Sequence, residues 1–233
     1  EKRRYALLQA ARDNEYVKKV HGGYLNVFMT AMGEDGDTWD LFRVVDGEFP
    51  EDDQLHDYDG FVVSGSTYDA FGREGWILRL CLLLQKLVAM KKRVLGVCFG
   101  HQVLCHALGG KVGRSGSGWD VGVRKITLND DDKEGLTIIE CHQDEVLELP
   151  KGGKLVAYSE KTGVEMFEYE DNVMGIQGHP EYTKDILEHL IDRLLSTKSI
   201  PETVGEKAKL QLVEAEADRK QWESICRNFL RGK

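Results

Sequence analysis

The chain has no apolar run approaching the roughly 20 residues that a membrane-spanning helix needs, which argues against such a span. Its first residues lack the charged-then-apolar pattern of a secretory leader. Basic residues are in deficit: 31 Lys and Arg stand against 40 Asp and Glu, a formal net charge of −9. That balance argues against a nucleic-acid or anionic-membrane partner, whose own negative charge it would meet. Internal repeats and low-complexity tracts are absent, and there is no Cys-x-x-Cys pair. The five cysteines (Cys81, Cys98, Cys105, Cys141 and Cys226) are an odd number in a chain too large to need covalent staples. They read as reduced thiols of a cytosolic protein. What 233 residues allow is one sizeable domain, 1–233, able to bury a sheet between two helix layers.

The pattern along the chain is α/β. Stretches 4–9, 39–45, 61–63 and 94–97 read as strands, and 24–31, 76–90 and 100–108 as helices with apolar stripes at helical spacing. From 111 to 177 the character changes. Short β-like runs at 121–128, 136–141, 154–158, 164–169 and 173–177 are separated by turn residues, as in an antiparallel insertion that returns a strand to the main sheet. Helices fill about 183–230, with Thr183 and Asp218 as candidate caps. The expected architecture is a three-layer α/β/α domain with a mostly parallel central sheet, a nucleophile elbow and a small antiparallel β insertion.

The elbow is the most informative stretch. Residues 94–97 end a buried strand at Cys98, a helix follows at once, and glycines flank the cysteine at Gly96 and Gly100. This G-x-C-x-G between strand and helix is the nucleophile-elbow pattern with sulfur in place of hydroxyl. The turn is too tight for side chains at the flanking positions. It also places Cys98 at a helix N-terminus, where free N–H groups and the dipole favour thiolate. The small-residue loop Ser64, Gly65, Ser66 follows the strand at 61–63, at the sheet edge where α/β folds bind ligands.

A thiol nucleophile needs a base. The motif Gly178, His179, Pro180, Glu181 ends another buried run and precedes a helix. In extended backbone, His179 and Glu181 point to one side, so the carboxylate can hold one ring nitrogen while the other faces Cys98.

G-x-C-x-G-H-Q followed some 80 residues later by G-H-P-E resembles the class I glutamine amidotransferase domain. The motifs around His21–Tyr24, Cys141–Val146, Ile176–Tyr182 and Cys226–Leu230 are similar to those of plant gamma-glutamyl peptidases, free-standing relatives of the amidotransferases. The resemblance covers nearly the whole chain. It implies a cytosolic cysteine hydrolase that cleaves the γ-glutamyl bond of glutathione S-conjugates or glutathione, through a γ-glutamyl thioester. It assigns Cys98 as nucleophile, His179 as general base and acid, and Glu181 as its orienter. Backbone N–H groups of Phe99 and Gly65 would form the oxyanion hole, each such donor contributing roughly 3 kcal/mol in comparable hydrolases. Gln102 would help hold the glutamyl group, with Ser64, Ser66 and His142 as further substrate-binding candidates. No metal or organic cofactor and no obligatory protein partner are implied. The segment 129–135 is shorter than the resemblance suggests, and its acidic run, Asp130 to Asp132, reads as a solvated loop.

Weaker signals have plainer readings. Cys98, His101, Cys105 and His106 invite a zinc site, but Cys105 and His106 are adjacent on a helix and point about 100° apart. His21–Tyr24 reads equally as cleft lining or as a flexible turn. A glutaminase subunit delivering ammonia to a separate synthetase is the alternative activity. A non-catalytic binding protein is the alternative of another class, disfavoured by intact Cys98, His179 and Glu181.

Overall fold

The computed structural model describes residues 2–129 and 135–233. Strands and helices first succeed one another as a parallel sheet requires. They are β1 (Arg4–Leu8), α1 (Glu15–His21), α2 (Tyr24–Met32), β2 (Thr38–Phe42), β3 (Gly60–Val63), α3 (Gly75–Ala89), β4 (Arg93–Val97) and α4 (Phe99–Ala107). Strands then follow one another: β5 (Lys111–Arg114), β6 (Asp120–Leu128), β7 (Leu136–His142), β8 (Asp144–Glu148), β9 (Gly153–Tyr158), β10 (Met166–Tyr169) and β11 (Val173–Ile176). Helices α5 (Lys184–Ser196), α6 (Glu202–Glu214) and α7 (Arg219–Arg231) complete the order.

Nine strands form one sheet in the order β2-β1-β3-β4-β11-β10-β9-β6-β7, while β5 and β8 pair apart from it. Neighbours from β2 to β11 are parallel, and those from β11 outward are antiparallel. The alternation of strand side chains sorts the core into layers. Ala6, Leu8, Phe61, Val63 and Val94 pack on one face beneath Leu80, Leu84 and Leu87 of α3 and Val103 and Leu104 of α4. Tyr5, Leu7, Val62, Leu95 and Val97 point the other way, against Phe28 and Met32 of α2 and Trp222, Cys226 and Leu230 of α7. A third cluster seats Ile186, Leu187 and Ile191 of α5 and Ala208 and Leu212 of α6 on the β6–β7 end. Each large apolar side chain buried in this way is worth about 1.5–3 kcal/mol.

The three-layer α/β/α expectation holds, and its small antiparallel element is the β5–β8 pair. Strands β6, β7, β9 and β10 extend the central sheet, so the edge of β11 is paired with β10 rather than left open. Three local expectations need correction. The second strand stops at Phe42, because Val44–Asp46 forms a single 3-10 turn closed by Gly47 at φ 85. The apolar pattern runs on because Val44 is buried in that turn. Asp218 does precede α7, but its carboxylate makes no cap bond. It accepts instead from Thr137 N at 2.7 Å and Thr137 Oγ1 at 2.8 Å, tying the last helix to β7. Thr183 likewise precedes α5 without a side-chain cap bond. The acidic run Asp130 to Asp132 lies outside the described residues.

Candidate active site

Three neighbouring parallel strands carry the expected chemistry to one edge of the sheet. In register, Val63 of β3 lies beside Gly96 of β4, and Val97 of β4 beside Ile176 of β11. The chain beyond β3 is Ser64–Gly65, beyond β4 is Cys98, and beyond β11 leads to His179 and Glu181. Cys98 N donates to Ile176 O at 2.9 Å, which locks the elbow to the strand that bears the histidine.

The elbow geometry depends on its two glycines. Cys98 adopts φ 54, ψ −106, a left-hand-side conformation that costs a non-glycine residue energy and persists only where the surroundings enforce it. A Cβ on Gly96 would lie 2.4 Å from the carbonyl carbon and oxygen of Gly100. A Cβ on Gly100 would lie 2.3 Å from Val63 O. Phe99 is the first residue of α4, so its N–H has no partner within the helix. Gly65 packs directly on the site, since a Cβ there would lie 3.1 Å from His179 Cε1 and 3.7 Å from Cys98 Cβ. Among the described residues, neither its N–H nor that of Phe99 donates to a protein acceptor.

His179 and Glu181 are buried, and His179 Nδ1 lies 2.9 Å from Glu181 Oε1. Fixing Nδ1 in this way leaves Nε2 to face the thiol. Burial alone would push the imidazole down. The carboxylate of Glu181 and the charge of Cys98 outweigh it and raise His179 to about 10. His179 also stacks on Tyr182, ring centroids 3.9 Å apart and planes within 5°. By contrast, burial pushes Cys105 and Cys141 up to about 12 and raises Cys81 and Cys226 as well, leaving those four as neutral thiols. All five cysteines are free. A buried cysteine thiolate beside an imidazolium, with two unspent N–H groups close by, can attack a carbonyl, have the resulting oxyanion received and see its leaving group protonated.

The site opens into a cavity of about 650 Å³, within the range of small-molecule pockets. Gln102, Ser64, Ser66 and His142 all line it, yet their polar atoms are partly committed. Gln102 Nε2 donates to Asp144 O at 2.8 Å and Gln177 Oε1 at 3.0 Å. Ser64 Oγ accepts from Ala10 N at 2.9 Å, and Ser66 Oγ donates to Ala10 O at 2.8 Å, so both hydroxyls brace the loop around Gly65. His142 Nδ1 meets Asp144 O at 2.9 Å. Its Nε2 lies 3.3 Å from Glu140 Oε2, without the alignment of a hydrogen bond. Tyr24 lines the cavity, whereas His21 turns away to Asp185 Oδ2 at 2.7 Å. The residues that invited a zinc site disperse: His101 Nε2 meets Val164 O, Cys105 Sγ meets Glu148 O, and His106 is exposed.

Sequence reasoning passed over several lining residues, among them Trp119, Leu190, Arg193 and Leu194. One signal was present. Ile186, Leu187, Leu190, Ile191, Leu194 and Leu195 of α5 recur at helical spacing, and of these Leu190 and Leu194 are only partly buried and reach the cavity.

Fold and site together define a class of protein: an α/β enzyme fold with a cysteine at a tight strand–helix elbow, a buried histidine–carboxylate pair near it and, among the described residues, two backbone N–H groups without a protein acceptor beside it. Residues 39–193 match the family model described as glutamine amidotransferase class-I. Gamma-glutamyl peptidase 5 of Arabidopsis thaliana is 54% identical over 244 aligned positions, covering 100% of this chain and 97% of that protein. Gamma-glutamyl peptidase 3 of the same plant is 49% identical, covering 100% and 98%. Both alignments run longer than the chain itself, so these relatives carry residues that it lacks. A glutamine amidotransferase structure from Thermotoga maritima superposes with a TM-score of 0.76 at 22% identity, covering 100% of this chain and 98% of that one, and shows a shared fold. The chain belongs to the class I glutamine amidotransferase family and, within it, is closely related to the plant gamma-glutamyl peptidases.

Proposed function

We propose that the chain is a γ-glutamyl peptidase that hydrolyses glutathione S-conjugates, and glutathione itself, through a thioester on Cys98. The observation that carries the mechanism is the 2.9 Å contact from His179 Nδ1 to Glu181, which leaves the other ring nitrogen for Cys98. Cys98 Sγ attacks the γ-carbonyl carbon, and the oxyanion is received by the N–H groups of Phe99 and Gly65. Imidazolium His179 gives its proton to the cysteinyl nitrogen, the C–N bond breaks, and Cys-Gly with its S-substituent leaves. Water, deprotonated by the now neutral His179, attacks the thioester and releases glutamate. The names of the full-length relatives support the γ-glutamyl substrate.

The same reading treats 1–233 as one functional domain and takes Gln102, Ser64, Ser66 and His142 as shaping the glutamyl pocket. It includes a cytosolic location, action without an obligatory protein partner, and no metal or organic cofactor. Among the described residues no helix is long and apolar enough to cross a membrane. The alternative, a glutaminase subunit, differs on the leaving-group side, where ammonia needs no room. Competition between an S-substituted glutathione and glutamine for the purified chain separates the two. The conjugate is expected to show a kcat/KM at least about tenfold higher, which needs about 1.4 kcal/mol of transition-state stabilisation from the remote part of the substrate. Preference for glutamine, or activity only when a synthetase is added, would overturn the proposal.

A further inference from the structure

Helix α5 builds one wall of the cavity that holds Cys98. Leu190, Arg193, Leu194 and Thr197 fall at i, i+3, i+4 and i+7, so they share a face, and all four line the cavity. Ile186, Leu187 and Ile191, which belong to the same apolar stripe, are buried in the core. Leu190 and Leu194 are only partly buried and pack in the same cluster as Trp119, which also lines the cavity.

Three arginines line that cavity beside the His179 imidazolium, which is held by Glu181. Arg12 is paired with Asp46, its Nε 2.8 Å from Oδ1. Arg114 bridges Asp144 at 2.6 Å and Asp69 at 3.0 Å. Arg193 is different: among the described residues its guanidinium has no carboxylate and no hydrogen-bond acceptor. It is therefore the one cavity-lining cation, among those residues, whose charge is unspent.

The wall also lies on the chemically relevant side. A general acid must stand beside the leaving nitrogen that it protonates, so the leaving group extends past His179. The His179 ring stacks on Tyr182, and Tyr182 belongs to the cluster formed by α5 and Trp119. Tyr182, Trp119, Leu190, Leu194 and Arg193 thus line the same cavity as the proton donor.

We propose that this wall is the leaving-group subsite. Leu190, Leu194 and Trp119 receive an apolar substituent carried on the cysteinyl sulfur, and Arg193 receives the terminal carboxylate of the Cys-Gly portion. The assignment rests on the γ-glutamyl peptidase reading and narrows its substrates to γ-glutamyl tripeptides with a free C-terminal carboxylate and an apolar S-group. Glutathione offers the carboxylate alone, and glutamine offers neither.

The test compares S-benzylglutathione with its C-terminal amide, which removes one charge and keeps the shape. Wild type is expected to favour the acid by at least about tenfold in kcat/KM, as a charge-assisted contact warrants. Arg193→Met should bring that ratio near one, and Arg193→Lys should restore part of it. Leu194→Asn should lower the preference for S-benzylglutathione over glutathione. Thermal unfolding of each variant checks that it folds, and Arg193 is exposed enough for replacement to be tolerated. An acid-to-amide ratio near one in wild type, or the same ratio in Arg193→Met as in wild type, overturns the subsite. Failure of wild type to cleave either peptide faster than glutamine overturns the peptidase reading, and the subsite with it.

Discussion

At the scale of single residues, the site turns on how two charges are held out of water. Burial lowers His179, which stacks on Tyr182, but the charges of Glu181 and Cys98 and the hydrogen bonds to them raise it to about 10. Its proton is therefore present through neutral pH and lost above about 10. Glu181→Gln removes the nearer charge while keeping shape, so the alkaline limb of the acylation rate should move down towards the ordinary histidine range near 6.5. Turnover should fall about 10²- to 10⁴-fold with the fold retained. The stability linkage has the same sign. A raised folded value contributes stability fully present below about 6.5 and lost as pH rises through about 10, so the variant should be weaker than wild type at neutral pH but not above 10. Rate profiles and urea denaturation at both pH values check this, and an unchanged alkaline limb would reduce Glu181 to a helix-start residue. The juxtaposition of Cys98, His179 and Glu181 was legible in the sequence because the roles proposed for them impose spacing. Ser64 and Ser66 were less so, because a hydroxyl's partner cannot be read from its neighbours, and both turn out to brace the loop through Ala10. Buried Glu140 and Glu165 left no sequence trace at all. Burial pushes Glu140 well up and raises Glu165 to about 9.

At the scale of elements, the junction of β3, β4 and α4 sets the geometry. Gly100 touches Val63, the last residue of the strand that leads into Ser64 and Gly65. Gly100→Ala would force a Cβ to within 2.3 Å of Val63 O, and backbone must move. Overpacking of this kind costs about 1–3 kcal/mol, and activity should fall far more than stability because the displaced strand carries the Gly65 donor. Urea unfolding alongside kcat measures both, and a variant as active as wild type would contradict the proposed oxyanion hole. The parallel strands and long helices were readable because continuous apolar runs and wide stripes have few alternatives. Strands β5 and β8 were not. Lys111–Arg114 and Asp144–Glu148 alternate weakly and are held by pairing with each other, a contact between segments about 30 residues apart. Asp218 was legible as a helix start, but its carboxylate is taken by a strand 81 residues away, which no local pattern announces.

At the scale of the whole molecule, two chemistries meet across one sheet. The parallel half supplies the elbow and the histidine–carboxylate pair. The antiparallel half, with α5 and α6 packed on it, contributes Trp119, Cys141 and His142 to the cavity rim. The five-strand parallel order puts Cys98 and His179 just beyond the ends of adjacent strands, and the antiparallel extension gives the cavity a second wall. The central claim is that Cys98 takes up a γ-glutamyl group from a conjugate. Rapid quench of the purified wild-type chain with S-benzylglutathione, followed by mass spectrometry of its peptides, measures that directly. A glutamyl acyl group is expected on the peptide containing Cys98, formed in step with release of S-benzyl Cys-Gly and absent in Cys98→Ala. Release of that product by the Cys98→Ala chain, or a glutamyl group found on Cys105, Cys141 or any other residue instead, would contradict it.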